Sequence, residues 1–118
     1  TGDQVLRYVA SVIGGRGAPP RFAARYGGEE FALIFPRETA QLAFTILEEI
    51  REEVSSRMLK RRSTNDDLGT ITISSGFAER RKDEMGINVM ERADAALYQS
   101  KRGGRNQVTN ADRRADAA

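Results

Sequence analysis

The sequence predicts an α+β fold, with helices packed on a mostly antiparallel sheet. Three observations predict it. Apolar residues recur at three- and four-residue intervals in three stretches, alternate or run together in the stretches between, and glycine, proline or charge clusters separate each stretch from the next.

Val5, Val9 and Val12, with Leu6 and Ile13 beside them, form the buried stripe of a first helix. Gly14, Gly15 and Gly17, followed by Pro19 and Pro20, end it, because glycine accepts a left-handed cap and proline has no N–H for another turn. Arg21 to Tyr26 and Phe31 to Phe35 read as two short strands, and the glycine pair between them makes the segment a β-hairpin closed by Pro36. Thr39 can cap a long helix reaching about Met58, in which Leu42, Ile46, Ile50 and Val54 repeat every fourth residue and Ala43 and Leu47 widen the stripe. Arg57, Lys60, Arg61 and Arg62 read most simply as the basic end of that helix, and Ser63 to Asp67 as a polar loop. From Gly69 to Ala78, Ile71, Ile73, Ser75 and Phe77 alternate with Thr70, Thr72, Ser74 and Gly76, the pattern of a strand buried mainly on one face. After a charged loop from Arg80 to Glu84, a third helix covers about Ile87 to Lys101, with Met90, Ala93 and Leu97 on its stripe and Val89 and Ala96 flanking. Gly103 and Gly104 end it, and Arg105 to Thr109 can add a last short strand. The order fits a ferredoxin-like β-α-β-β-α-β sheet whose first, central strand is absent from this chain, since the first helix has an apolar face but no strand before it. Residues 1–109 are expected to form one domain and 110–118, polar and alanine-rich, a disordered tail.

Composition narrows the function classes. With 39% hydrophobic residues the chain has the means to build a core. No apolar run approaches the roughly 18 residues of a spanning helix, and no cysteine is present for disulfides or thiolate metal sites, which suits a cytoplasmic domain. Membrane attachment of a parent protein stays open. The balance of 19 basic against 17 acidic residues leaves a formal charge of +2, too small to argue nucleic-acid binding by itself. No strand carries the clustered exposed aromatics that stack bases, so RNA binding is a poor reading.

Chemistry concentrates at Arg25-Tyr26-Gly27-Gly28-Glu29-Glu30-Phe31. Glycines at a hairpin tip permit positive φ and put no side chain between the main chain and a ligand, so N–H groups can approach phosphate oxygens. The two carboxylates that follow are hard oxygen ligands of the kind Mg²⁺ prefers. Because adjacent strand side chains face opposite ways, Glu29 is favoured as the principal ligand. A Gly-Gly turn with two solvated glutamates is the plainer reading of the same residues.

The segment RYGGEEF, Arg25 to Phe31, resembles the signature of the GGDEF family of diguanylate cyclases, in which glutamate is a common alternative at the third motif position. Gly2-Asp3-Gln4-Val5-Leu6 is similar to that family's GD-x-VL segment and Thr72-Ile73-Ser74-Ser75-Gly76 to its TISxG strand. Arg92-Ala93-Asp94-Ala95-Ala96-Leu97-Tyr98, with Lys101 and Gly104-Arg105-Asn106, is similar to its RAD-x-ALY-x-x-K-x-x-GRN ending. The four segments stand in family order over about residues 2–108.

The resemblance implies a nucleotidyl-cyclase-like fold and condensation of two GTP molecules into cyclic di-GMP with release of pyrophosphate. It implies a homodimer, because each domain binds one GTP, and a divalent cofactor, Mg²⁺ or Mn²⁺. Glu29 becomes the catalytic residue and a metal ligand, Glu30 supports the metal, and Gly27 and Gly28 contact phosphate. Asp3 is expected to accept hydrogen bonds from guanine N1–H and the exocyclic amine, which favours GTP over ATP; a carboxylate stabilising a helix N-terminus is the alternative. Lys101 and Arg105 are expected on the phosphate tail, with capping of helix carbonyls as the alternative. Asp94 is expected to be structural and Tyr98 to pack. No nucleic-acid partner is implied, and a regulatory input domain is expected in a parent protein.

Two departures from the family pattern matter. Where many members carry RxxD as a product-binding inhibitory site, Ala18 and Arg21 stand at its two charged positions, so that feedback site is expected to be missing. The family's metal-binding aspartate and a guanine-contacting asparagine precede the matched region and are not among these 118 residues, so this chain alone is expected to be inactive or nearly so. The competing expectation is a catalytically inactive domain of the same fold that senses nucleotide or binds another protein.

Overall fold

The structure, a computed structural model, describes residues 2–60 and 67–112. Where composition suggests one core, contacts cluster in two compact units, Thr1–Glu38 with Glu52–Ile71 and Thr39–Arg51 with Thr72–Ala118.

In the first unit, helix α1 (Gly2–Gly14) buries Val9 and Val12. The Tyr8 hydroxyl donates to the carbonyls of Glu53 and Val54, 3.0 and 3.3 Å away, and the Arg57 guanidinium lies 5.9 Å from its ring centroid. Strands β1 (Phe22–Arg25) and β2 (Phe31–Ile34) form the expected antiparallel hairpin, in register from Phe22 opposite Ile34 to Arg25 opposite Phe31.

Helix α2 (Ala40–Ser55) contributes residues to both units. Thr39 caps it as expected, its Oγ1 accepting from the Leu42 N–H at 3.1 Å. The buried stripe is Ala43, Ile46, Ile50 and Val54, while Leu42 is 41% exposed. A strict four-residue repeat drifts around a 3.6-residue helix, and the three-residue step from Ala43 to Ile46 corrects the drift. The helix stops three residues before Met58. The hydroxyls of Ser55 and Ser56 donate to the carbonyls of Glu52 and Glu53, 3.2 and 2.7 Å away, and so occupy acceptors a further turn would use.

Arg57 and Lys60, expected at the basic end of that helix, therefore lie beyond it. Strand β3 (Met58–Lys60) pairs antiparallel with β4 (Asp67–Thr70), with Leu59 buried and an irregularity between Leu59 and Lys60. Arg61, Arg62 and residues 63–66 of the expected loop lie outside the described residues, whereas Asp67 opens β4.

In the second unit, β5 (Ser75–Phe77) pairs in parallel with β6 (Val108–Asn110), and α3 (Gly86–Arg102) is the crossover between them. The stretch expected as one strand from Gly69 to Ala78 divides because its partner changes: β4 belongs to β3 and β5 to β6. Among the described residues the strands make three separate two-stranded ladders, two antiparallel and one parallel, in place of one mostly antiparallel sheet. Helix α3 approaches β5 so closely that a Cβ on Gly76 would lie 2.0 Å from the Leu97 nitrogen and 2.6 Å from the Ala93 oxygen. Beside that contact Ser100 is fully buried, its Oγ donating to the Ser75 carbonyl at 2.7 Å and sharing a 2.6 Å hydrogen bond with Thr109 Oγ1. The Phe44 and Phe77 ring centroids are 6.4 Å apart.

Arg92 ties the 79–84 loop to the residues after β6. It donates to both carboxylate oxygens of Glu84 at 2.6 and 2.9 Å, to Asp112 Oδ1 at 2.8 Å and to the Glu79 carbonyl at 2.7 Å. Asn110 and Asp112, expected in a frayed tail, are thus built into the fold, Asn110 pairing with Phe77 across the parallel ladder. Residues 113–118 of that expected tail lie outside the described residues. Tyr98, expected to pack, is 59% exposed and accepts a hydrogen bond from Arg102. No described helix is long and apolar enough to cross a membrane.

Two outcomes are expected. Gly76→Ala must force backbone from backbone, so denaturant unfolding should show a loss of about 3 kcal/mol, the upper part of the usual overpacking range; unchanged stability would contradict the packing. The Arg92 hydrogen bonds, then the Arg81 N–H, hold the Glu84 carboxyl at about 2, below its ordinary 4.5. Its contribution is therefore complete above pH 4.5 and lost as pH falls towards 2. Melting temperatures measured across that window should fall less steeply in Glu84→Gln than in the parent.

Candidate functional site

The turn joining β1 to β2 is closed by its own main chain. The N–H groups of Tyr26 and Gly27 both donate to the Glu30 carbonyl, at 2.8 and 3.2 Å, which leaves those of Gly28 and Glu29 outside the turn's hydrogen bonds. The Arg25 guanidinium reaches over the tip and donates to the carbonyls of Gly27 and Gly28. The sequence reading gives Arg25 no role of its own, although it opens the RYGGEEF segment and stands two residues before the glycine pair.

Neither tip glycine adopts the positive φ that the sequence reading allowed, since among the described residues only Gly69 and Gly104 do so among glycines. A Cβ on Gly28 would meet nothing within 4 Å, and one on Gly27 only the Glu30 Oε1, at 4.0 Å. The fold therefore has no conformational or packing need for glycine at 28. What glycine supplies there is open approach to bare main chain. Glu29 is exposed and Glu30 half-buried, in keeping with Glu29 as the side chain more open to a ligand.

Asp3 is exposed in the first turn of α1, where its charge complements the helix dipole. It belongs to the first unit with Gly27, Gly28, Glu29 and Glu30, whereas Lys101 and Arg105 belong to the second. Lys101 occupies the last turn of α3 and is exposed, and Arg105 follows the helix, also exposed, with φ 63°.

At the place of the missing RxxD pair, Arg21 donates to both carboxylate oxygens of Glu38, at 2.8 and 2.9 Å, and to the Arg16 carbonyl at 3.2 Å. Its guanidinium also lies 5.4 Å from the Phe35 ring centroid. The hydrogen bonds between Arg21 and Glu38 raise the Arg21 pKa and lower that of Glu38. Arg21 and Glu38, with Arg16, Ala18 and the two prolines, line a hollow of about 430 Å³.

For a divalent cation the donor chemistry fits in kind and is sparse in number. Glu29 and Glu30 are hard oxygen donors, and no described cluster of three or more acidic, histidine or cysteine side chains could hold an ion. Mg²⁺ ordinarily takes one or two carboxylates and completes its shell with water and substrate phosphate, so carboxylates of this kind fit an ion that arrives with nucleotide.

Comparison with known proteins gives a consistent result. The family model described as diguanylate cyclase, GGDEF domain, matches residues 1–107. The diguanylate cyclase VdcA of Vibrio cholerae is 36% identical over 107 residues, covering 91% of this chain and 32% of the relative. The GGDEF domain of DgcB from Caulobacter crescentus, solved in complex with c-di-GMP, superposes with a TM-score of 0.93 at 76% identity, over 94% of this chain and 63% of that one. The active GGEEF domain of a diguanylate cyclase from Vibrio cholerae gives a TM-score of 0.80 at 26% identity, over 95% and 69% of the two chains. The chain spans a third or less of the length of VdcA and the other curated relatives compared, from 16% to 32%.

Because Gly28 is free of both steric and φ constraint, Gly28→Ala should leave thermal stability unchanged or raise it by up to about 1 kcal/mol, as glycine replacement does at compatible sites. A marked drop in melting temperature would show that the turn needs glycine for its own sake.

Proposed function

Because the chain belongs to the GGDEF family of diguanylate cyclases, we propose that it acts as a cyclase domain that condenses two GTP molecules into cyclic di-GMP. The observation that carries this reading is the open main chain at Gly28, followed directly by Glu29, in a turn that closes without needing glycine there. In each half-reaction the 3′-oxygen of one GTP bonds to the α-phosphorus of the other. The bond to the α,β-bridging oxygen breaks, pyrophosphate leaves with that electron pair, and Glu29 accepts the hydroxyl proton.

Two domains must face each other for both bonds to form, so the working form is a homodimer. Gly27 and Gly28 admit phosphate to bare main chain, Lys101 and Arg105 neutralise the phosphate tail, and Asp3 selects guanine through N1–H and the amine. Glu29, supported by Glu30, would hold Mg²⁺ or Mn²⁺, which supplies charge neutralisation to the triphosphate. A ferredoxin-like, nucleotidyl-cyclase-like fold is part of this reading, supported by the likeness to solved GGDEF domains. Ala18 and Arg21 at the two charged positions of RxxD support the absence of that feedback site. Control by a regulatory domain and cytoplasmic operation complete the proposal.

The test is calorimetry of the full-length protein with a non-hydrolysable GTP analogue and Mg²⁺, paired with chromatographic detection of cyclic di-GMP. Glu29→Gln should cut turnover by about a hundredfold or more, the usual size of a lost general base. Asp3→Asn should reduce the preference for GTP over ATP by about tenfold, since one acceptor for guanine is replaced by a donor. No uptake of the analogue with magnesium present would overturn the proposal.

A further inference from the structure

Three consecutive residues after α3 have positive φ: Gly104 at 115°, Arg105 at 63° and Asn106 at 50°. Glycine adopts such angles freely and asparagine tolerates them, but arginine pays for the crowding of its Cβ against the backbone. A conformation of this kind persists where its surroundings over-determine it.

The surroundings here are specific. The Arg105 N–H donates to the Ser100 carbonyl at 2.9 Å, and the same carbonyl accepts from Gln107 Nε2 at 3.1 Å. Asn106 is gripped at both its main chain and its side chain. Its N–H donates to Ser74 Oγ at 3.1 Å, and its Oδ1 accepts from Arg51 Nη1 at 3.1 Å. Arg51 is itself oriented by Glu48, whose two carboxylate oxygens accept from Nε and Nη2 at 2.8 and 3.0 Å. These groups come from three places in the sequence, α2, the segment before β5 and the segment after α3, all within the second unit. Gly104 and the Arg105 N–H bond to the Ser100 carbonyl are an ordinary helix ending, but that ending requires neither contact to Asn106. The residue next to Asn106 is the exposed Arg105, whose guanidinium has no partner among the described residues.

We propose that Arg51, Ser74 and Asn106 are positioning residues: they hold the 104–106 turn in its left-handed form and so fix the backbone from which Arg105 reaches the phosphate tail of the nucleotide. This rests on the reading of Arg105 given above. A guanidinium placed in advance loses less conformational freedom on meeting phosphate, so the gain appears as affinity for the charged tail.

The test uses the full-length protein, calorimetry with a non-hydrolysable GTP analogue and Mg²⁺, and GMP as a second probe that lacks the β- and γ-phosphates. Arg105→Ala tests the underlying reading and should weaken binding of the triphosphate analogue. Arg51→Met removes the hydrogen bond to Asn106, and Asn106→Gly keeps the left-handed backbone accessible while deleting the acceptor. Each should weaken the analogue by about tenfold, the size of one hydrogen bond to a charged group, and leave GMP within about twofold. Arg51→Lys, which can still donate to Asn106 Oδ1, should recover part of the loss. Full affinity in Arg51→Met and Asn106→Gly, with affinity lost in Arg105→Ala, would overturn the positioning role alone. Equal weakening of the analogue and GMP would also overturn it, as the mark of a purely structural effect. Unchanged affinity in Arg105→Ala would remove the phosphate reading and the positioning role with it.

Discussion

A side chain at position 76 has nowhere to go. The main chain of α3 lies against β5 at a distance only glycine permits, and much of the second unit follows from that approach. It brings Ser100 under β5, where its hydroxyl joins the Ser75 carbonyl to Thr109 and so links α3, β5 and β6 at one buried point. With the hydroxyl satisfied on both sides, burial of the polar group carries little penalty. The end of α3 is then fixed relative to β5, and the turn carrying Arg105 must bridge the short interval to β6 in the conformation that its hydrogen bonds impose.

The hairpin tip of the first unit is built on the opposite principle. Its hydrogen bonds are local, from Tyr26 and Gly27 to Glu30 and from Arg25 to the tip carbonyls, and no distant element is needed to close it. A turn that supports itself can leave its outermost residues unconstrained. The N–H groups of Gly28 and Glu29 and the exposed Glu29 carboxylate lie outside the turn's hydrogen bonds and are free to serve a ligand.

Charge is used in the same divided way. Arg21, Arg51 and Arg92 each make paired hydrogen bonds to a carboxylate, with Glu38, Glu48 and Glu84 respectively, and each also donates to a further oxygen of the chain. These arginines are structural ties, made geometrically specific by the planar fork of the guanidinium. Each such pair cancels one charge of either sign, so several of the chain's charges are engaged in holding the fold while the formal +2 stays unchanged.

Near-neighbour chemistry made much of this protein legible before any fold was known. The three helices, the Thr39 cap, the first hairpin and the motif segments all depend on residues within a few positions of one another, and periodicity or turn chemistry records such relations directly. Family membership was legible for the same reason, because its motifs are contiguous. What pairs with what was not. The chain from Gly69 to Ala78 alternates like one strand, yet its first part belongs to β3 and its last to β6, and no local pattern names a partner. Met58–Lys60 was too short to announce itself, and Arg92 looked like part of a motif until its bonds to Glu84, Glu79 and Asp112 gave it a task. The sequence alone determined the helices, the hairpin and the residues available for chemistry, since these are set over a turn or two of chain. Tertiary structure alone decided strand partners, the exposure of Leu42 and the left-handed turn around Arg105, because each depends on backbone brought close from far away in sequence.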